Sequence, residues 1–108
     1  MRERTLPLPV AADHPAYAGH FPGRPILPGV VLLDVALHAL AAREGLAAAA
    51  CRIASAKFRS PVQQGEALRL SYAATTVGDF RFEILAGDQV VASGVLAFAA
   101  AHNEDSTA

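Results

Sequence analysis

The segment Gly29 to Glu44, GVVLLDVALHALAARE, carries apolar side chains around almost the entire circumference of a helix. Pro28 suits the first helical turn, Arg43 and Glu44 mark a polar end, and Gly45 suits a left-handed cap, so the spacing predicts a helix over 29–44. With no wet face to speak of, such a helix must lie inside something. The longest apolar run, Ile26 to Ala42, is interrupted by Pro28, Asp34 and His38 and falls short of the ~20 clean apolar residues of a membrane span. That leaves a buried helix in a folded domain, and the question of why Asp34 and His38 stand one turn apart in its middle.

The rest of the chain supplies material to cover it. Ile53–Arg59, Leu68–Val77, Phe80–Ala86 and Gln89–Ala99 read as strands, separated by QQGE and two GD turns. Phe80, Phe82 and Ile84 alternate with Arg81 and Glu83, which gives one face to pack on the helix. Thr5–Val10 is expected to be a short edge strand, because Pro7 and Pro9 lack the N–H groups a central strand needs. From Asp13 to Pro28, four prolines and two glycines make a stiff irregular loop that holds side chains in place. The expected fold is α+β: a short strand, a stiff loop, one buried helix, and a four-strand antiparallel meander curling around it as in a hot-dog architecture, which periodicity alone does not separate from other arrangements of one helix on a sheet.

Composition bounds the function. At 108 residues there is room for one domain, placed at 1–100, with the small polar residues 101–108 as a frayed tail. A chain that is 53% hydrophobic and only 18% charged is expected to associate rather than remain a monomer. Nine Lys+Arg against ten Asp+Glu, with no basic run, give no nucleic-acid footprint. The single cysteine, Cys51, makes no internal disulfide, and MRERTLPLPV lacks the apolar core of a signal peptide, so a cytoplasmic location is expected. No C-x-x-C or H-E-x-x-H spacing, glycine-rich phosphate loop or serine elbow occurs, so neither metal nor bound cofactor is expected.

The run GHFPGRPILPGVVLLDVAL resembles the active-site motif of the 3-hydroxyacyl-[acyl-carrier-protein] dehydratases, the FabZ/FabA family, in which H-F-P-G-x-P-x-x-P-G leads into the central helix. KFRSPVQQGEALRL resembles that family's next strand and turn, and GDQVVASGVLAFA resembles its last hairpin, so the resemblance covers most of the chain. Its shortness makes it most similar to the compact ApeI-type dehydratases of specialised acyl or aryl-polyene assembly. The resemblance implies dehydration of a (3R)-hydroxyacyl thioester to the trans-2-enoyl thioester, on an acyl chain carried by the phosphopantetheine of acyl carrier protein.

Dehydration needs a base for the C2 proton, an acid for the departing hydroxyl, and donors for the charge on the thioester oxygen. His20, on the stiff loop, is the candidate base, since histidine titrates near neutrality. Asp34 is the candidate acid: a carboxylate buried without a partner is costly, which favours its protonated form. Gly29 begins the helix, where free N–H groups and the dipole favour negative charge, so its backbone N–H is the candidate oxyanion donor. His38 departs from the pattern, because the family places Gln one turn after the acid; a neutral, supporting ring is expected there. Phe21, Pro28 and Val30 are expected to line the substrate site with His38. His14 reads as a solvent-exposed or capping residue.

Arg24, Arg52, Lys57 and Arg59 are the candidate docking cations for an acidic carrier protein, with Lys57 and Arg59 expected on one strand face. The family resemblance implies dimers whose sites straddle the interface, as a homodimer, a higher homo-oligomer or a hetero-oligomer with another hot-dog subunit. Two other functions stay open at this point: a non-catalytic, carrier-binding hot-dog subunit, and an acyl thioesterase in which the helix carboxylate activates water.

Overall fold

Helix α1 (Gly29–Glu44) forms over the residues its sequence predicts. Gly45 follows with φ of 71°, and the Leu46 N–H donates to the Ala41 carbonyl at 2.8 Å, which satisfies a carbonyl of the last turn. The computed structural model describes residues 3–8, 26–27, 29–63, 66–76 and 78–99. Around α1 stand β1 (Arg4–Leu8), β2 (Ile26–Leu27), β3 (Cys51–Phe58), β4 (Val62–Gln63), β5 (Leu68–Thr76), β6 (Asp79–Ala86) and β7 (Gln89–Phe98). A single 3-10 turn, Ala48–Ala50, leads into β3.

The main sheet is antiparallel with five strands in the order β1-β5-β6-β7-β3, and β2 pairs with β4 as a two-residue ladder beside it. This corrects the expected meander. Strands β5, β6 and β7 do follow one another, but β3 lies at the far edge against β7, and β1 closes the other edge against β5. With α1 on one face of an antiparallel sheet, the described residues have the expected α+β hot-dog arrangement.

Register explains which side chains meet the helix. Leu6, Leu70, Ile84, Ala92 and Phe58 lie in one row across the five strands, and Tyr72, Phe82, Gly94 and Ala56 in the next. Leu70, Ile84, Ala92 and Leu96 are fully buried with Leu40 and Ala36 of α1. Burying each large aliphatic side chain contributes about 1.5–3 kcal/mol, so these sheet-to-helix contacts are a substantial source of cohesion. Tyr72, Phe80 and Phe98 add two edge-to-face contacts, with ring centroids 5.7 and 5.9 Å apart. On the opposite face the Thr5, Ser71, Glu83, Ser93 and Lys57 row is polar throughout.

A bulge interrupts β3 between Ile53 and Ser55. The extra residue resets the alternation, so Cys51, Ile53, Ala56 and Phe58 all point to the helix face while Arg52, Ser55 and Lys57 point outward. Opposite the bulge, β7 carries Gly94, where a Cβ would collide with the Ser55 carbonyl oxygen. Only glycine lets the two backbones approach so closely.

Candidate active site

The site is built on the start and middle of α1. Gly29 is its first residue, and a Cβ there would lie 2.7 Å from carbons of the Phe58 ring, so the missing side chain lets the ring close on the helix backbone. The first N–H groups of a helix have no carbonyl partner within it, which leaves this end a donor for developing negative charge. Phe58 nonetheless stays 51% exposed, and Val30, one residue along, is 73% exposed. Phe58 was not among the candidates from sequence. Its only signal was the KF pair in KFRSPV.

Asp34 and His38 follow at one-turn intervals on the same stripe as Val30, with side chains 66% and 60% exposed. The sequence expectation that α1 has no wet face, and that Asp34 is buried, is therefore corrected. The sheet covers the stripe formed by Leu32, Leu33, Ala36, Leu40 and Ala41. Among the described residues no element lies over Val30, Asp34 and His38, and β3 is equally bare apart from its first residue. Among the described residues, the apolar surroundings expected from the helix sequence are present on one side of α1 only.

His38 Nδ1 lies 2.8 Å from the Asp34 backbone carbonyl oxygen and 3.4 Å from its carboxylate oxygen. For Nδ1 to donate it must carry the proton, which in a neutral ring leaves Nε2 as an acceptor. The structure thus brings together Gly29, Val30, Asp34 and His38 along one helix stripe, with Phe58 at its start. His20, Phe21, Arg24 and Pro28, as well as His14 and the tail 101–108, lie outside the described residues.

The basic candidates fall elsewhere. The bulge turns Arg52 and Lys57 to the outward face, away from Phe58. Arg59 lies past the end of β3, its N–H bonded to the Val91 carbonyl at 2.9 Å, so the expected Lys57–Arg59 pairing on one strand face is replaced by Arg52 with Lys57. The alternation over 57 and 59 had no way to register a strand that stops at 58 and bulges at 54.

A second polar cluster went unnoticed in the sequence. The buried Tyr72 hydroxyl donates to the Glu44 carboxylate at the end of α1, and Arg4 of β1 stands 3.5 Å from the same oxygen. Burial first, and the neighbouring Glu44 second, push the Tyr72 phenol up to about 12. This cluster ties β1, β5 and the helix end together. Burial also raises Cys51. Among the described residues no three His, Cys, Asp or Glu side chains group to hold a metal ion, and no helix is long and apolar enough to cross a membrane.

With this geometry in place, the relatives are informative. The family model for the ApeI dehydratase matches residues 1–95. The chain belongs to the ApeI-like dehydratase family. The 3-hydroxyacyl-[acyl-carrier-protein] dehydratase FabZ of Chlamydia trachomatis is 36% identical over 102 residues, covering 82% of this chain and 67% of the relative. The FabZ of Natranaerobius thermophilus is 33% identical over 101 residues, 83% of this chain and 71% of the relative. Among solved structures, the dehydratase heterocomplex ApeI:P from Xenorhabdus doucetiae is similar with a TM-score of 0.66 and 27% identity, over 90% of this chain and 87% of that one. A fluoroacetyl-CoA thioesterase, FlK, matches with a TM-score of 0.63 over 98% of this chain and 92% of that one, but at 12% identity it shares the fold alone.

Proposed function

We propose that this ApeI-like chain removes water from a (3R)-hydroxyacyl thioester, carried on the phosphopantetheine of an acyl carrier protein, to give the trans-2-enoyl thioester. The observation that carries the reading is the stripe of α1 that no described element covers, on which Asp34 and its His38 partner stand in line from the helix start at Gly29. In the mechanism, His20 takes the C2 proton, Asp34 gives a proton to the C3 hydroxyl as it leaves as water, and the Gly29 N–H stabilises negative charge on the thioester oxygen. Phe58 and Val30 supply the apolar wall beside the acyl chain, together with Phe21 and Pro28. No metal or bound cofactor takes part, because acid, base and oxyanion donor suffice for the elimination.

An acid 66% exposed to water is poorly placed for this work, so a second hot-dog subunit covers the stripe and completes the site. His20 comes from one chain and Asp34 from the other. The similar ApeI:P structure is a heterocomplex, which supports a partner subunit for this chain as well. The carrier, the cytoplasmic location, and a place in fatty-acid-like or aryl-polyene assembly belong to the same reading. The test is incubation of the purified protein, alone and with candidate partner subunits, with 3-hydroxyacyl carriers of several lengths, followed by mass analysis. A loss of one water supports the reading. Thiol release from substrates lacking a 3-hydroxyl, with no water loss from any hydroxyacyl carrier, replaces it with thioester hydrolysis.

A further inference from the structure

The elimination leaves a proton on the wrong residue. Each water that departs takes the Asp34 proton with it, while the proton from C2 ends on His20. One turnover therefore converts a neutral base and a protonated acid into a protonated base and a bare carboxylate. Before the next substrate can react, His20 must lose a proton and Asp34 must regain one.

His38 stands where a group that returns a proton to Asp34 is needed. Its Nδ1 lies 2.8 Å from the Asp34 backbone carbonyl oxygen and 3.4 Å from the carboxylate oxygen, so one ring atom faces both acceptors. The shorter contact holds the Nδ1–H on the carbonyl, and a small rotation of the Asp34 side chain brings the carboxylate into its place. Side-chain exposures of 66% for Asp34 and 60% for His38 leave room for that rotation. Nε2 occupies the opposite edge of the same ring, and with the proton on Nδ1 it is an acceptor. Arg43 and Glu44, the other charged residues of α1, lie at the far end of the helix, where Glu44 accepts from Tyr72 and pairs with Arg4.

We propose that His38 is the proton relay that recharges Asp34 between turnovers. The relay rests on the function proposed above and deepens it. Nε2 takes a proton from water or a buffer acid, which makes the ring an imidazolium. Nδ1 then gives its proton to the Asp34 carboxylate, leaving a neutral acid beside a neutral ring protonated on Nε2. His20 meanwhile releases the C2 proton to water. One proton enters at His38 and one leaves at His20, so the cycle closes with no other reactant. A second subunit over the stripe keeps water from Asp34, and the relay restores the link to solvent: the ring stands one turn nearer the polar end of α1, where water reaches Nε2 and returns the ring to its Nδ1–H form.

The experiment compares wild type with His38→Gln in the assembly that dehydrates, by rapid quench with a (3R)-hydroxyacyl carrier at fixed pH and ionic strength, first in dilute buffer and then in rising imidazole. Gln keeps an N–H donor for the Asp34 carbonyl but cannot take a proton at one atom and give one from another. Because the relay acts after water is lost, His38→Gln is expected to slow later turnovers a few-fold more than the first, giving a burst of up to about one product per site. Dissolved imidazole is expected to restore the variant's steady-state rate by the same few-fold and to shrink its burst, with no effect on wild type. Equal losses in first and later turnovers, or a variant that does not respond to imidazole, overturn the relay and leave dehydration standing. No water loss in any assembly refutes the proposed function, and the relay with it.

Discussion

The ring of His38 reaches back one helical turn to Asp34, its Nδ1 2.8 Å from the backbone carbonyl and 3.4 Å from the carboxylate. The carbonyl contact orients the imidazole, and the longer contact lets that oriented ring influence the carboxylate rotamer. Gln has an N–H donor on a side chain of comparable reach, which gives a physical reason for either residue one turn after the acid. Leu has none.

His38→Gln is therefore expected to keep dehydration within a few-fold of wild type, while His38→Leu loses on the order of tenfold or more through misplacement of Asp34. Both side chains are exposed in the chain, so thermal stability should shift by less than about 0.5 kcal/mol in either variant. Steady-state turnover beside melting curves checks this. Full activity in His38→Leu would remove His38 from the site.

Tyr72 gives a pH prediction. Its folded-state pKa, raised to about 12, lies above the ordinary phenol value, so the neutral hydroxyl donating to Glu44 stabilises the fold. That contribution is fully present below about pH 10 and is lost as pH climbs through about 12. Tyr72→Phe should cost about 1–3 kcal/mol at neutral pH, and its stability should fall less steeply in alkali than that of wild type. Denaturant melts across the alkaline range measure both.

Gly94→Ala is expected to be the more damaging of two glycine substitutions. Its Cβ meets the backbone oxygen of Ser55, which has nowhere to go without parting β3 from β7, so a loss of about 1–3 kcal/mol is expected. In Gly29→Ala the nearest atoms to the new Cβ belong to the ring of Phe58, a half-exposed side chain that can shift more readily than backbone. That variant should fold nearly normally yet turn over poorly, since the ring is displaced from the helix start. Comparison of melting temperature with turnover separates the two cases.

The shared site can be tested by subunit exchange. The His20→Ala and Asp34→Asn chains are mixed 1:1 under conditions where dimers exchange. If each site takes His20 and Asp34 from different chains, each mixed dimer holds one intact site, and about a quarter of wild-type activity is expected. Proven exchange with no recovered activity would place both residues in one chain.

How much was legible beforehand follows from the range over which each signal acts. The limits of α1 are local, marked by Pro28 before it and Gly45 after it, and both were read correctly. The alternation in Phe80, Phe82 and Ile84 likewise gave the inward face of β6. That β3 pairs with β7 is a contact between segments far apart in the chain, and a period-2 pattern carries no information about which strands are neighbours. The bulge at Ala54 was invisible for a related reason: one extra residue reverses every side chain beyond it, so Arg52 and Lys57 share a face that strict alternation denies them. The burial expected of Asp34 fails because apolar neighbours in sequence are not cover in space. Among the described residues, the sheet covers one stripe of the helix and nothing covers the stripe with the carboxylate.

The most direct test of the account is the rate at which Asp34→Asn and wild type convert a (3R)-hydroxyacyl carrier to its trans-2-enoyl product, in the same assembly and read by mass. The amide nearly matches the carboxyl in size but cannot give up a proton to the leaving hydroxyl. The account predicts an unchanged melting temperature and a loss of at least about a hundredfold in turnover. Near wild-type conversion by Asp34→Asn would contradict it.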